Sequence, residues 1–79
     1  MMIASDIRTK IRQQPFKPFR LYVSDGSLYE IRHRDLILVT TSMVVVGLHA
    51  NENETIPDRT VDIDLAHVVK MEYIEPVNA

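Results

Sequence analysis

The segment that decides the fold is FRLYVSDGSLYEIRH, residues 19–33. Apolar and polar residues alternate on both sides of Ser24-Asp25-Gly26, which is typical of two half-buried strands joined by a turn. A two-residue turn would place Glu30 opposite Leu21, among the apolar side chains. A three-residue loop, with the glycine in the left-handed position, keeps Leu21 on the same face as Tyr29. We therefore predict a hairpin with the three-residue loop.

A short helix is predicted upstream of this hairpin, over residues 5–14. Ser5 is a good N-cap residue, and Pro15 excludes a helical conformation from the residue before it. Ile7 and Ile11 lie four positions apart and form one narrow apolar stripe. A helix of this length is not stable alone in water, so the stripe should pack on the sheet or on a neighbouring subunit.

The connector between helix and hairpin, PFKPF at residues 15–19, is stiff because each proline restricts itself and the residue before it. Phe16 and Phe19 are expected to plug the open end of a barrel of strands, although a proline-bracketed aromatic pair also suits a docking site.

Downstream of the hairpin, the pattern predicts a second group of strands. The six predicted strands are 19–24, 27–33, 36–41, 43–49, 60–65 and 68–74. Strand 43–49 is apolar on both faces, so it should be central or have its second face covered by the helix or a partner. Residues 50–59 are acidic and without periodicity, which predicts a surface loop.

The apolar faces of the predicted helix and strands are sufficient for one hydrophobic core. The predicted fold class is mainly β (α+β). We predict a single domain over residues 1–79, with an N-terminal helix followed by a small antiparallel β-barrel. The predicted core is Ile7, Ile11, Phe16, Phe19, Leu21, Val23, Ile31, Leu38, Val44, Val46, Leu48, Val61, Ile63, Leu65, Val69, Met71 and Tyr73.

The element order resembles that of small SH3-like and Sm-like barrels, and a set of short motifs resembles a known family. The motifs are PFKPF (15–19), SDG (24–26), EIRH (30–33), VVVG (44–47) and DLAHVV (64–69). Together they resemble a large uncharacterised family of short bacterial proteins, over about residues 5 to 75. The resemblance implies a fold and no particular activity.

Composition limits how the domain is stabilised and where it works. The 79 residues include no cysteine, which excludes disulfides and thiolate metal sites. So short a chain has a small core and little stability of its own. Without disulfides or thiolate metal sites, oligomerisation is the common remaining means of stabilising such a domain. The first six residues contain no basic leader followed by a long apolar run, and no apolar stretch has the length of a membrane span. We expect a cytoplasmic protein that does not enter membranes.

Charge is distributed unevenly around a net value of −2. Through residue 34 there are seven basic and three acidic residues, a net of +4, and from residue 35 onward two basic and eight acidic residues, a net of −6. The asymmetry suits contact between unlike faces of two copies, or a basic patch for an anionic partner. The candidate patch is Arg8, Arg12, Arg20, Tyr22, Arg32 and Arg34.

Catalytic and metal-binding patterns are weak. His33, His49 and His67 lack the HxH and HExxH spacings of zinc sites. The serines lie in turns without an elbow motif, and two glycines do not build a phosphate loop. We therefore predict no catalytic residues, no metal and no cofactor, and a protein that is not an enzyme.

The function predicted from these observations is a non-catalytic protein-interaction or assembly module. A homo-oligomer, most simply a dimer, is expected, with an unknown protein partner. The candidate self-association residues are Met43, Val45, Ile7 and Ile11. The alternative is an Sm-like RNA-binding protein that uses the basic first half of the chain. The acidic second half argues against it, because carboxylates repel phosphates.

Overall fold

The computed structural model describes residues 3–49 and 56–74. Its elements are α1 (Ala4–Ile11), β1 (Phe19–Val23), β2 (Leu28–Ile31), a 3-10 turn (Arg34–Leu36), β3 (Ile37–Val39), β4 (Met43–Leu48), β5 (Arg59–Asp64), a 3-10 turn (Leu65–His67) and β6 (Val68–Tyr73). The six predicted strands are all present. Most of the predicted acidic loop, residues 50–55, lies outside the described residues.

The strands form two three-stranded antiparallel sheets, with orders β2-β1-β6 and β3-β4-β5. The fold is therefore mainly β with one short helix, as predicted. The closed barrel is not confirmed, because no strand pairing joins the two sheets within the described ranges. Strand β4 is central in its sheet, as its two apolar faces predicted. In the same ranges, no helix has the length and apolar character needed to cross a membrane.

The β1-β2 hairpin has the predicted register, with Leu21 opposite Tyr29. Gly26 closes the three-residue loop with a φ of 93°, in the left-handed region. Its amide donates to the Val23 carbonyl at 2.9 Å, and the Val23 amide donates to the Ser27 carbonyl at 2.9 Å. Local sequence determines this turn because the glycine and the flanking alternation both require the same register.

The helix begins and ends earlier than predicted. Ile3, and not Ser5, is the N-cap residue, and the Asp6 carboxylate accepts a hydrogen bond from the Ile3 amide at 3.1 Å. At the other end the helix stops at residue 11, where the Arg34 side chain donates to the Gln13 carbonyl at 2.8 Å. The prediction of Ser5 as N-cap is therefore wrong, and a contact from a distant residue holds the chain after the helix.

The core lies between the inner faces of the two sheets, with the helix packed against them. Ile7 is fully buried in it, so the helix stripe is covered by the chain's own sheets. Phe19 is also fully buried and Phe16 half-buried, with ring centroids 6.1 Å apart, so both phenylalanines of the connector belong to the core. The buried residues are Ile7, Phe19, Leu21, Ile31, Leu36, Ile37, Val44, Val46, Ile63, Leu65 and Val68.

Two predicted core residues are on the surface: Leu38 is 62% exposed and Val69 is 59% exposed. In β3 the 3-10 turn before the strand turns Ile37 inward, opposite Val46, which leaves Leu38 on the outer face. In β6 the pairing with β1 skips Val69, and this β-bulge turns Val68 inward instead. Both errors come from irregular backbone that shifts a strand's alternation by one residue.

Candidate interaction surfaces

The outer face of the sheet β2-β1-β6, here called the charged face, has Arg20 on its central strand, between Glu30 and Glu72. The Glu30 carboxylate accepts hydrogen bonds from Arg20 Nε at 3.1 Å and from Arg32 Nη2 at 2.8 Å. Arg20 also lies 3.9 Å from the carboxylate of Glu72. Glu72 in turn accepts from the Tyr22 hydroxyl at 2.9 Å. The two arginines and two carboxylates of this face are therefore paired with one another, across the strands and, for Arg32 and Glu30, at the end of β2.

Protonation equilibria on the charged face reflect the same contacts. Hydrogen bonds from Arg20 and then Arg32 hold the pKa of Glu30 below its ordinary value. The same bond to Glu30 raises the pKa of Arg20. The hydrogen bond to Glu72 raises the pKa of Tyr22, so the phenol stays a neutral donor. At neutral pH the two arginines are thus already paired with a carboxylate.

The structure divides the six predicted partner-binding residues among separate settings. Arg20, Tyr22 and Arg32 share the charged face. Arg34 instead binds the end of the helix, through its bond to Gln13 and a second bond to the Ile11 carbonyl at 3.0 Å, and its guanidinium lies 5.6 Å from the Phe16 ring. Cations commonly occupy such helix C-termini. The remaining two residues, Arg8 and Arg12, are exposed on the helix.

The outer face of the sheet β3-β4-β5 is different, and we call Leu38, Met43 and Val45 on it the apolar face. Val45 lies opposite Leu38 on one side and opposite Asp62 on the other. Leu38 is 62% exposed, and Met43 and Val45 are half-buried. Two of the predicted self-association residues therefore reach this face.

The other two predicted self-association residues, Ile7 and Ile11, lie elsewhere. Ile7 is fully buried in the core, and Ile11 is half-buried and packed against it. Ile7 cannot meet a second copy without unfolding, so the helix does not extend the apolar face. Leu38 is a surface residue of this face that the sequence pattern did not indicate, because Ile37, and not Leu38, faces the core.

A cleft of about 370 Å³ opens between the tip of the β1-β2 hairpin and strand β5. Side chains of Val23, Tyr29, Val61 and Ile63 form its apolar lining. Its polar lining includes the carboxylates Asp25, Asp62 and Asp64 and the residues Ser24, Ser27 and His67. The sequence contained no signal for this cleft, because its two sides come from segments about forty residues apart in the chain.

Ser24 and His67 are joined at the edge of this cleft. The Ser24 hydroxyl lies 3.0 Å from His67 Nδ1, and the Ser24 amide donates to the His67 carbonyl at 2.8 Å. A nucleophilic serine needs free amides nearby to stabilise an oxyanion. Here the serine's own amide is already bonded, so the pair fastens the turn before β6 to the hairpin tip.

The histidines do not define a metal centre in the described part of the chain. Across residues 3–49 and 56–74, no three His, Asp or Glu side chains are grouped as metal ligands. No protein-family model, curated protein or solved structure matches this chain.

Proposed function

We propose that this chain is a non-catalytic assembly module that forms a two-fold dimer through its apolar face. One observation carries the proposal: Leu38 is 62% exposed beside Val45 on the outer face of a sheet. An exposed leucine beside a half-buried valine favours a contact that removes both from water, at roughly 25 cal/mol for each Å² buried. On the charged face the exposed Leu28 lies opposite Tyr22, whose hydroxyl is bonded to Glu72, so polar groups interrupt the apolar surface there.

A second copy of the chain is the occupant that fits this surface best. A two-fold interface brings the same patch together from both copies, so an apolar patch is complementary to itself. Leu38 lies on the edge strand β3, whereas Asp62 and Asp64 lie on β5, two strands away. Neighbouring strands are about 4.8 Å apart. A two-fold axis that passes near Leu38 therefore leaves these carboxylates about 10 Å from it, at the rim of the interface.

For the fold, we propose that the two sheets are the halves of a small SH3-like or Sm-like barrel. Three features support this: the strand order, the 3-10 turn between β5 and β6, and the return of β6 to pair with β1. The fold class does not determine the function. A cytoplasmic location is part of the same proposal, because a chain without cysteine does not depend on an oxidising compartment.

RNA binding is the weaker alternative. Phosphate binding would require Arg20 and Arg32 to leave Glu30, to which both donate hydrogen bonds. It would also bring phosphates towards the exposed carboxylates of the chain's second half.

The test compares two leucines on opposite faces of the molecule by sedimentation velocity at several micromolar concentrations. Leu38→Asp places a charge in the apolar face, whereas Leu28→Asp makes the same change on the charged face, where Leu28 is 48% exposed. We expect a dimer of twice the 9.1 kDa chain mass for the unmodified protein and for Leu28→Asp, and a monomer for Leu38→Asp.

Circular dichroism should show all three proteins folded, because both leucines are largely exposed. A monomeric unmodified protein at every concentration would contradict the proposal. Equal dissociation by the two substitutions would show that the interface lies elsewhere.

A further inference from the structure

The cleft beside the hairpin tip exposes side chains that belong to the inner faces of the two sheets. Tyr29 and Val61 point towards the core from opposite sheets, yet both are only half-buried. Strand β5 is an edge strand here, since it pairs only with β4 in the described chain. The interior of the fold is therefore accessible along this side, through an opening of about 370 Å³. That volume lies in the range of ligand-binding clefts.

The carboxylates that line the cleft give it an acidic character. Asp25, Asp62 and Asp64 contribute carboxylates, and the described lining contains neither lysine nor arginine. Hydrogen bonds from the Ser27 side chain and backbone lower the pKa of Asp25, which keeps this carboxylate ionised well into acidic solution. An occupant must therefore bring positive charge to the rim and apolar groups to the walls.

We propose that this cleft binds a lysine- or arginine-bearing segment of a partner protein. Both side chains combine an apolar stem with a cationic head, so the stem packs on Tyr29 and Val61 while the head meets the rim carboxylates. The cleft opens along β5, whereas the apolar face lies on β3 and β4, so the two surfaces adjoin at Asp62 and Asp64 without sharing a residue.

The partner is a different protein and not a second copy of this chain. Arg8 and Arg12 are exposed cations on the helix and could supply such side chains from a second copy. The helix end packs near Tyr73, since Lys10 Nζ lies 3.8 Å from the Tyr73 ring centre, and Tyr73 pairs with the first residue of β1. The cleft is at the other end of β1, so helix-to-cleft contact would be head-to-tail and would form a ring or a filament, neither of which is the two-fold dimer proposed above.

The experiment measures fluorescence anisotropy of a labelled peptide of alternating arginine and glycine. A peptide of alternating glutamate and glycine and a single-stranded oligonucleotide serve as comparison probes. The cleft variants are Asp25→Asn and Asp62→Asn. The control is Asp35→Asn, which removes one exposed carboxylate from the 3-10 turn before β3, outside the cleft. Asparagine at position 25 keeps the side-chain oxygen that accepts from the Ser27 amide at 2.8 Å.

We expect the arginine peptide to bind, and each cleft variant to bind it about threefold to tenfold more weakly, because each loses one ion pair. Asp35→Asn should bind as the unmodified protein does, and added salt should weaken binding further. Amide chemical-shift changes should map to the hairpin tip and β5. Sedimentation of the same samples reports the dimer separately, so failure of this proposal is distinguishable from failure of the assembly proposal.

Three results would overturn the proposal. These are no binding of the arginine peptide, equal weakening by the control and the cleft variants, and shift changes located away from the cleft. Preferential binding of the oligonucleotide would also overturn it and would favour the RNA alternative.

Discussion

Gly47, in the central strand β4, lies where Pro57 approaches the sheet before β5 begins. A Cβ atom added at Gly47 would lie 2.8 Å from the Pro57 Cβ atom, 3.1 Å from its Cγ atom and 3.3 Å from a methyl group of Leu36. Carbon atoms prefer separations of about 3.5 to 4.0 Å, so the nearest contact is about 0.7 Å too short. The proline ring is rigid, so its backbone has to move. Gly47→Ala should therefore destabilise the domain.

Two opposing contributions set the size of this effect. Overpacking typically costs about 1 to 3 kcal/mol, whereas replacing glycine in a strand by alanine gains about 0.5 to 1 kcal/mol. The midpoints of the two ranges give a net loss in the free energy of unfolding of about 1 kcal/mol. For a domain of this size that lowers the Tm by about 4 to 8 °C. Thermal unfolding followed by circular dichroism, at one fixed protein concentration, measures it.

A second substitution identifies the cause. In a Pro57→Gly background the Cβ and Cγ atoms are absent, so Gly47→Ala should become neutral or stabilising by up to about 1 kcal/mol. If Gly47→Ala is equally harmful in both backgrounds, contact with Pro57 does not explain the loss. If it is harmless in the unmodified protein, Pro57 does not pack on β4.

Two further predictions concern the bulge in β6 and the charged face. Val68→Ala should lower the free energy of unfolding by about 1 to 3 kcal/mol and Val69→Ala by much less, because Val68 is 2% and Val69 59% exposed. Similar Tm losses for the two variants would contradict the inward position of Val68. Hydrogen bonds from Arg20 and Arg32 lower the pKa of Glu30, so its ionised form favours folding. This contribution is complete above the unfolded-state pKa and is lost as the pH falls through the lower folded-state pKa. The Tm difference between the unmodified protein and Glu30→Gln should therefore shrink on acidification below about pH 4. A difference that grows there would mean that folding raises the pKa of Glu30, contrary to the contacts described.

The sequence was a sufficient guide where structure depends on neighbours along the chain. The hairpin register follows from Ser24-Asp25-Gly26 and the alternation around it, since a one-residue slip would turn every side chain over. The central position of β4 was expected from its two apolar faces, and the structure shows it. Only the inner face is buried, however, because Met43 and Val45 on the outer face are half-buried. The same register places Arg20 opposite Glu30, and the structure shows the two side chains paired.

Tertiary structure alone decided the remaining features. Whether Val68 or Val69 faces inward depends on a bulge formed against β1, more than forty residues earlier, and both residues are valine. The end of the helix depends on Arg34, and the cleft exists because the hairpin tip and β5 lie close without pairing. Local patterns specify alternation and turns, whereas contacts between distant segments determine the phase of a strand and the shape of the surface between two sheets. For this protein the sequence by itself determined the strands and their main register, and tertiary contacts determined which surfaces remain available to a partner.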